Sequence, residues 1–193
     1  MARWEPNARE RLVVAAIDLF AEQGYDGTAV AQIAERAGLT KTTFFRHFPD
    51  KREVLFAGQA VHGRLLAEGI AGAPDGADPL AAVAAGLDRA TDSFTPEQRE
   101  FGPRLRAVVE SNAELRERAV FKQASLVEAM SGALRGRGVP ERVAAVAAEL
   151  GGRAFHSAYA RWCEPAERRS FGELARRELD ELRTAAAELG AAD

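Results

Sequence analysis

Apolar residues recur every three or four positions along most of the chain, which is the spacing of one face of an α-helix. The periodic segments end at glycine or proline, the residues that most often terminate helices. No segment shows the strict alternation of apolar and polar residues that is typical of a strand. The sequence therefore predicts an all-α fold, with a three-helix head followed by a body of about six helices.

Two short helices are predicted between residues 28 and 52. Thr28 is placed to cap the first helix, Gly38 ends it in a left-handed turn, and Thr40 caps the second helix. At about 100° per residue, the second helix turns Phe44 and Phe48 inwards. It turns hydroxyls, a ring and a guanidinium outwards, on Thr42, Thr43, Phe45 and Arg46.

Together with a longer helix predicted from residue 7 to 23, this pattern is a helix-turn-helix. Its exposed hydroxyls and guanidinium suit base edges and phosphates in a DNA major groove. The alternative is an ordinary pair of packed helices with a solvated outer face, because helix-glycine-helix patterns are common. Charge favours the first interpretation, since residues 28–52 carry a net charge of +3 and the remaining chain carries −6.

From about Arg9 to Leu55 the sequence resembles the tetracycline-repressor (TetR) family of bacterial transcription regulators. This family usually carries tyrosine where the chain has Phe45, so a hydroxyl contact with a phosphate is missing here or is replaced by apolar contact with a sugar or a thymine methyl group. The resemblance rests on matched positions in the expected order, namely Ala16, Phe20, Gly24, Tyr25, Ile33, Ala34, Ala37, Gly38, Leu39, Thr43, Arg46, His47, Phe48 and Lys51.

The predicted partner of the head is double-stranded operator DNA. The residues at the start and on the outer face of the second helix are expected to contact bases or phosphates, and these are Lys41, Thr42, Thr43, Phe45 and Arg46. Three residues at the edges of the motif are expected to hold the DNA backbone, and these are Thr28, His47 and Lys51.

The head is assigned to residues 1–50, beginning with a flexible arm at residues 1–7, and the body to residues 51–193. A fourth helix is predicted from Lys51 to Ile70, where it links head to body and can transmit a signal. Residues 71–79 form a linker, because two prolines and two glycines interrupt any helix there.

The chain shows little chemistry suited to catalysis. It has one cysteine, three scattered histidines and no glycine-rich phosphate loop. It also lacks an apolar run long enough to span a membrane and a recognisable signal peptide. The sequence therefore predicts a cytoplasmic protein that is not an enzyme, has no cofactor or metal and does not bind a membrane; an enzyme in the helical body is the less favoured alternative.

The body contains aromatic and thioether side chains on several helices, with small residues between them. This composition fits either a plain helical core or a pocket for a small apolar effector. Residues 104–162 are also similar to a TetR subgroup whose bodies bind acyl-CoA-like or fatty-acyl ligands. The predicted function is therefore that of a ligand-responsive regulator, with repression favoured over activation. The alternative is a dimeric DNA-binding regulator without a ligand. The predicted ligand-binding residues are Phe101, Arg104, Phe121, Met130, Phe155 and Tyr159.

The last two predicted helices carry apolar stripes. Two copies of the chain could pair these helices into a self-complementary four-helix interface, giving a homodimer that matches a palindromic operator. The alternative is that the stripes face the body of their own chain. The predicted dimer-interface residues are Leu150, Phe155, Phe171, Leu179 and Leu182.

Overall fold

The computed structural model describes residues 8–190, so the predicted arm at residues 1–7 lies outside the described residues. Within residues 8–190 the regular structure is entirely helical, which confirms the predicted all-α class. The helices are α1 (Ala8–Gln23), α2 (Val30–Arg36), α3 (Lys41–His47), a 3-10 helix (Glu53–Phe56), α4 (Gln59–Ala71), α5 (Pro79–Thr91), α6 (Pro96–Ser111), α7 (Ala113–Gly136), α8 (Glu141–Trp162) and α9 (Phe171–Gly190).

The predicted continuous helix from Lys51 to Ile70 is wrong. The carboxylate of Asp50 accepts hydrogen bonds from the backbone N–H groups of Arg52 (2.8 Å) and Glu53 (3.1 Å), and a short 3-10 helix begins there. All three residues 54–56 are buried, and consecutive side chains cannot all lie on one face of a straight α-helix. The regular α-helix therefore starts only at Gln59, after the 3-10 helix.

Two side chains fix the start of the final helix. Glu173 accepts a hydrogen bond from the backbone N–H of Ser170 (2.7 Å), and the Ser170 hydroxyl accepts one from the backbone N–H of Glu173 (3.2 Å). This reciprocal capping box fixes the start of α9 at Phe171.

The chain forms two compact units. The first contains residues 8–57 together with Glu100–Val120, and the second contains Gly58–Arg99 and residues 121–190. Each unit has its own apolar core. These two units do not coincide with the head and the body predicted from the sequence. The assignment of head and body stays a prediction.

The first unit is built around buried residues of α1, α2 and α3. Leu12, Ile33 and Phe44 are fully buried in this core. Two residues from the segment 100–120, Val108 and Leu115, belong to the same core. The last turns of α6 and the first turns of α7 are therefore part of the packing that supports the short helices.

Charged side chains also tie the segment 100–120 to the rest of the first unit. Arg104 on α6 pairs with Asp18 on α1 at 2.6 Å. On α7, Arg118 pairs with Glu53 at 2.5 Å. The Glu53 side chain is only 16% exposed, so this pair is less screened by solvent than an ordinary surface ion pair.

In the second unit, α4 and α5 cross at two glycines. A Cβ atom on Gly69 would lie 2.6 Å from the carbonyl oxygen of Ala85, and one on Gly86 would lie 2.8 Å from that of Leu66. Backbone atoms cannot move aside cheaply, so these positions need glycine for the close approach of the two helices.

A cluster of aromatic rings surrounds Phe94 in the second unit. The rings of Phe155, Tyr159, Trp162 and Phe171 have centroids 4.9–6.0 Å from that of Phe94. His62 stacks on Phe94 with centroids 4.4 Å apart. Burial disfavours the charged imidazole and lowers the pKa of His62 to about 4, so the ring is neutral at physiological pH and acts as an apolar member of the cluster.

Candidate nucleic-acid interface

The turn between α2 and α3 has the predicted geometry. Gly38 has a φ of +65°, and the backbone N–H of Leu39 reaches back to the carbonyl oxygen of Ala34 at 2.8 Å. The Thr40 hydroxyl then accepts a hydrogen bond from the backbone N–H of Thr43 at 3.1 Å. Glycine in the left-handed region and a threonine N-cap thus end one helix and begin the next within a few residues.

The faces of α3 also follow the predicted division. Phe44 and Phe48 are buried in the core of the first unit. On the outer side Lys41, Thr42 and Arg46 are exposed. Thr43 is half-buried, and its hydroxyl lies 3.0 Å from that of Thr40.

Phe45 is the one large apolar side chain on the outer face of α3, and it is 48% exposed. Its ring meets the buried Phe44 ring edge-on at 5.5 Å, and the Lys41 ammonium lies 5.9 Å from its centroid. The outer face therefore combines two cations, a hydroxyl and a ring, which are suited to phosphates, base edges and a thymine methyl group.

Thr28 does not have the predicted role. It is only 2% exposed, and its hydroxyl donates to the carbonyl oxygen of Gly24 at 2.8 Å. A hydroxyl held inside the loop cannot reach a DNA phosphate. The predicted capping role is also wrong, because Ala29 is the N-cap of α2 and its backbone N–H donates to the Gln32 side chain at 2.7 Å.

Lys51 lies over the loop between α1 and α2. Its ammonium donates to the carbonyl oxygens of Tyr25 (2.7 Å) and Thr28 (3.0 Å) and lies 4.0 Å from the Tyr25 ring centroid. His47 was predicted to hold the DNA backbone. It is half-buried at the end of α3, and its buried Nε2 has no hydrogen-bond partner among the described residues. Sequence reasoning missed the internal partners of Lys51, because they lie 23 and 26 residues away along the chain.

The predicted ligand-binding residues are spread over both units. Phe101 packs on the core of the first unit, and the exposed Arg104 is paired with Asp18. Phe121 is 60% exposed on α7, whereas Met130 is fully buried in the second unit. Phe155 and Tyr159 do come together, in the aromatic cluster around Phe94.

Small residues in the second unit bring helices together where they were expected to leave space for a ligand. A Cβ atom on Gly151 would lie 2.6 Å from Val83 Cγ1, and one on Gly152 would lie 2.6 Å from Val127 Cγ2. These glycines therefore allow close packing of α8 against α5 and α7. An apolar groove of about 500 Å³ lies elsewhere, on the surface between residues 78–80 and residues 142–150.

Most of the predicted dimer-interface residues lie inside their own unit. Phe155, Phe171 and Leu179 are buried in its core, so they have little surface left for a partner, and their assignment is wrong. Leu150 and Leu182 are half-buried and retain some accessible surface. The exposed large apolar residues of α8 are Val143 (47%) and Val146 (61%), which sequence reasoning missed although they share a helical face with Leu150.

Residues 8–190 contain neither a candidate metal site nor a candidate membrane span. No group of three or more His, Cys, Asp or Glu side chains in this range could hold a metal ion. Within the same range, no helix is both long enough and apolar enough to cross a lipid bilayer.

Comparison with known proteins identifies the family of the helix-turn-helix. Residues 12–57 match the family described as bacterial regulatory proteins, tetR family. The chain is 37% identical over 75 residues to the HTH-type transcriptional regulator TcmR of Streptomyces glaucescens, covering 39% of this chain and 33% of TcmR. It is 34% identical over 62 residues to the HTH-type transcriptional activator FasR of Mycolicibacterium smegmatis, covering 32% of this chain and 28% of FasR. The chain thus matches about a third of the length of these relatives.

Solved structures share the fold over nearly the whole chain. A TetR-family regulator from Mesorhizobium loti aligns with a TM-score of 0.54 at 20% identity, covering 95% of this chain and 98% of its own. The regulator FadR from Bacillus subtilis, solved in complex with stearoyl-CoA, aligns with a TM-score of 0.54 at 19% identity, covering 90% of this chain and 96% of its own. At such identities the likeness shows the fold alone.

Proposed function

Because residues 12–57 match the tetR family of bacterial regulatory proteins, we propose that this chain is a cytoplasmic DNA-binding transcriptional regulator whose α3 enters the major groove. The matched relatives are named as transcription regulators, which supports the prediction that the chain is not an enzyme. The observation that most supports DNA binding is the outer face of α3, where Lys41 and Arg46 flank the exposed ring of Phe45.

The state of the cations around the helix-turn-helix supports this assignment. Arg36 is paired with Glu22 at 2.8 Å and Arg52 with Asp50 at 2.9 Å, so both are largely neutralised. Arg52 also holds the pKa of the Asp50 carboxyl below its usual range, which keeps that pair ionised. Neither Lys41 nor Arg46 forms an ion pair with a described residue, so their charge remains available to DNA.

The first prediction tests the contacts of Arg46. Operators are selected from random duplexes with the wild-type protein, and binding is measured from low to physiological salt. Arg46→Ala is expected to raise Kd by about tenfold, because a contact with a base or phosphate is typically worth about 1–3 kcal/mol. If the lost contact is to a phosphate, the slope of log K against log salt also falls by about 0.9.

The matched control is Arg64→Ala, which removes an exposed arginine on α4 in the second unit. It is expected to leave the Kd and the salt slope unchanged. Equal binding by wild type, Arg46→Ala and a Lys41→Met, Arg46→Ala double variant would remove α3 as the DNA-contacting element.

We propose that the Phe45 ring contacts a thymine methyl group, since a phenyl ring has no hydroxyl to offer a phosphate. Replacing single thymines in the operator by uracil removes only the C5 methyl group. We expect that uracil in place of one thymine in each half-site weakens wild-type binding several-fold. The same replacement should have no effect on binding by the Phe45→Ala variant. Wild-type binding that is indifferent to every uracil substitution would leave the ring with sugar contacts only.

We further propose that two copies of the chain bind a palindromic operator, with half-sites one helical turn (~34 Å) or more apart. The support on α8 is the exposed apolar face of Val143 and Val146 beside the half-buried Leu150. Val146→Glu is expected to shift sedimentation from dimer to monomer and to weaken operator binding. The control Val120→Glu changes an equally exposed valine in the other unit. Wild-type protein that sediments as a monomer at micromolar concentration would contradict the dimer.

We also propose control by a small apolar effector of acyl type, because responsiveness to small molecules is general in the family. The fold is shared with a regulator that binds stearoyl-CoA, which supports testing that ligand class first. Of the predicted ligand-binding residues, Phe155 and Tyr159 lie close to the ring of Phe94. A bound acyl chain would have to open this cluster or enter beside it.

Thermal unfolding with stearoyl-CoA, stearate or free coenzyme A separates the candidate functions. Binding only to the folded state stabilises it by about 2.7 kcal/mol at a ligand concentration of 100 Kd. We expect Tm to rise with the acyl compounds and operator DNA to be released, whereas coenzyme A alone has no effect. If neither acyl compound changes Tm or operator binding, the acyl assignment fails, and the dimeric regulator without a ligand becomes the favoured alternative.

A further inference from the structure

We propose that Lys51 is a positioning residue that fastens the loop between α1 and α2 to the end of the helix-turn-helix, and that it does not contact a DNA phosphate. This inference rests on the proposed DNA binding. It differs from the role that the sequence suggested, and it follows from the contacts that the ammonium group already makes.

Two of the three N–H donors of the ammonium are used within the protein. One donates to the carbonyl oxygen of Tyr25 at 2.7 Å and another to that of Thr28 at 3.0 Å. The ammonium also lies 4.0 Å from the centroid of the Tyr25 ring, within the range of a cation–π contact. Lys51 is half-buried in this position. A phosphate contact would compete with these interactions.

The carbonyl groups that Lys51 binds belong to a tight loop after α1, where Gly24 has a φ of +81°. Loop carbonyls that are partly buried need a donor, because an unsatisfied one costs free energy. Burial raises the pKa of Tyr25 to about 12, so the phenol is neutral and attracts the ammonium through the ring face. A lysine side chain supplies several donors and a compact charge to this site.

The loop is held from two sides. From within, the Thr28 hydroxyl donates to the carbonyl oxygen of Gly24 at 2.8 Å, next to the end of α1. From the segment after α3, Lys51 binds the main chain of Tyr25 and Thr28. Ala29, the N-cap of α2, follows directly, so these bonds set where α2 begins. Since α3 packs on α2, they also set the placement of its outer face.

Lys41 is the internal comparison for this proposal. It is exposed at the first position of α3, and its described contact is with the Phe45 ring at 5.9 Å. If Lys41 contacts a phosphate, its removal reduces counterion release and lowers the salt slope by about 0.9. Removing a positioning residue disorders the DNA-binding surface instead. Affinity then falls at every salt concentration while the slope stays the same.

The first experiment uses wild-type protein, whose 193-residue sequence contains three lysines, Lys41, Lys51 and Lys122. Trace acetylation followed by peptide mass spectrometry measures the reactivity of each amine. In DNA-free protein Lys51 is expected to react about tenfold more slowly than Lys41, because its hydrogen bonds must first break. Adding the selected operator should slow Lys41 and leave Lys51 unchanged. Equal reactivity in the free protein, or a further slowing of Lys51 by DNA, would overturn the proposal.

The second experiment compares Lys51→Met with Lys41→Met, which both remove an ammonium and keep an unbranched side chain. Lys51→Met is expected to raise Kd about tenfold at each salt concentration with the wild-type slope, whereas Lys41→Met lowers the slope by about 0.9. A Lys51→Met slope that falls like that of Lys41→Met, or an unchanged Kd, would overturn the proposal. If Lys51→Met does not fold, the labelling comparison decides.

The two proposals can fail separately. If wild-type protein selects no duplex, DNA binding fails as the proposed function, but the labelling of free protein still judges the contacts of Lys51. If wild type binds DNA and Lys51 reacts as fast as Lys41, the regulator stands and the positioning role is lost.

Discussion

The constraint on which the head depends is the shortness of α3. It has seven residues, and helices of fewer than about 12 residues are marginal in water without tertiary packing. Its shape therefore comes from the burial of Phe44 and Phe48 and from the cap at Thr40. The partner helix α2 is equally short, and Arg11 on α1 donates to the carbonyl oxygen of Ala37 at its end. The order of the outer face of α3 therefore depends on this burial, on the cap and on the hydrogen bond from Arg11.

The helix-turn-helix could be predicted from sequence because its signals are local. Gly38 and Thr40 act within a few residues of themselves, and the inward ring Phe44 follows from helical periodicity. The role of Thr28 was predicted wrongly and the internal contacts of Lys51 were missed, because both depend on what folds next to these residues. A threonine before a helix suggests a cap, yet here the hydroxyl turns back to Gly24. A lysine after α3 suggests a phosphate contact, yet its ammonium lies on a loop far away in the chain.

Some of the interface residues predicted in the body were wrong for a related reason. Periodicity identifies the apolar face of a helix but not what covers it. Phe171 and Leu179 were read as an interface, and the core of their own unit covers them. Similarly, glycines between aromatic residues can open a pocket or draw helices together, and Gly151 and Gly152 do the second. Only the packed structure distinguishes these cases, because close packing depends on which helices meet.

The segment 100–120 has a consequence for how such proteins can be recombined. The chain passes between its two compact units three times, after residues 57, 99 and 120. A chimera that exchanged only the N-terminal part would leave behind Val108 and Leu115, which belong to its core, and the partner of Glu53, which is Arg118. Transplanting the DNA specificity of this chain onto another regulator therefore requires two discontinuous pieces. Insertions or deletions in that distant stretch are constrained by the head as well as by the rest of the protein.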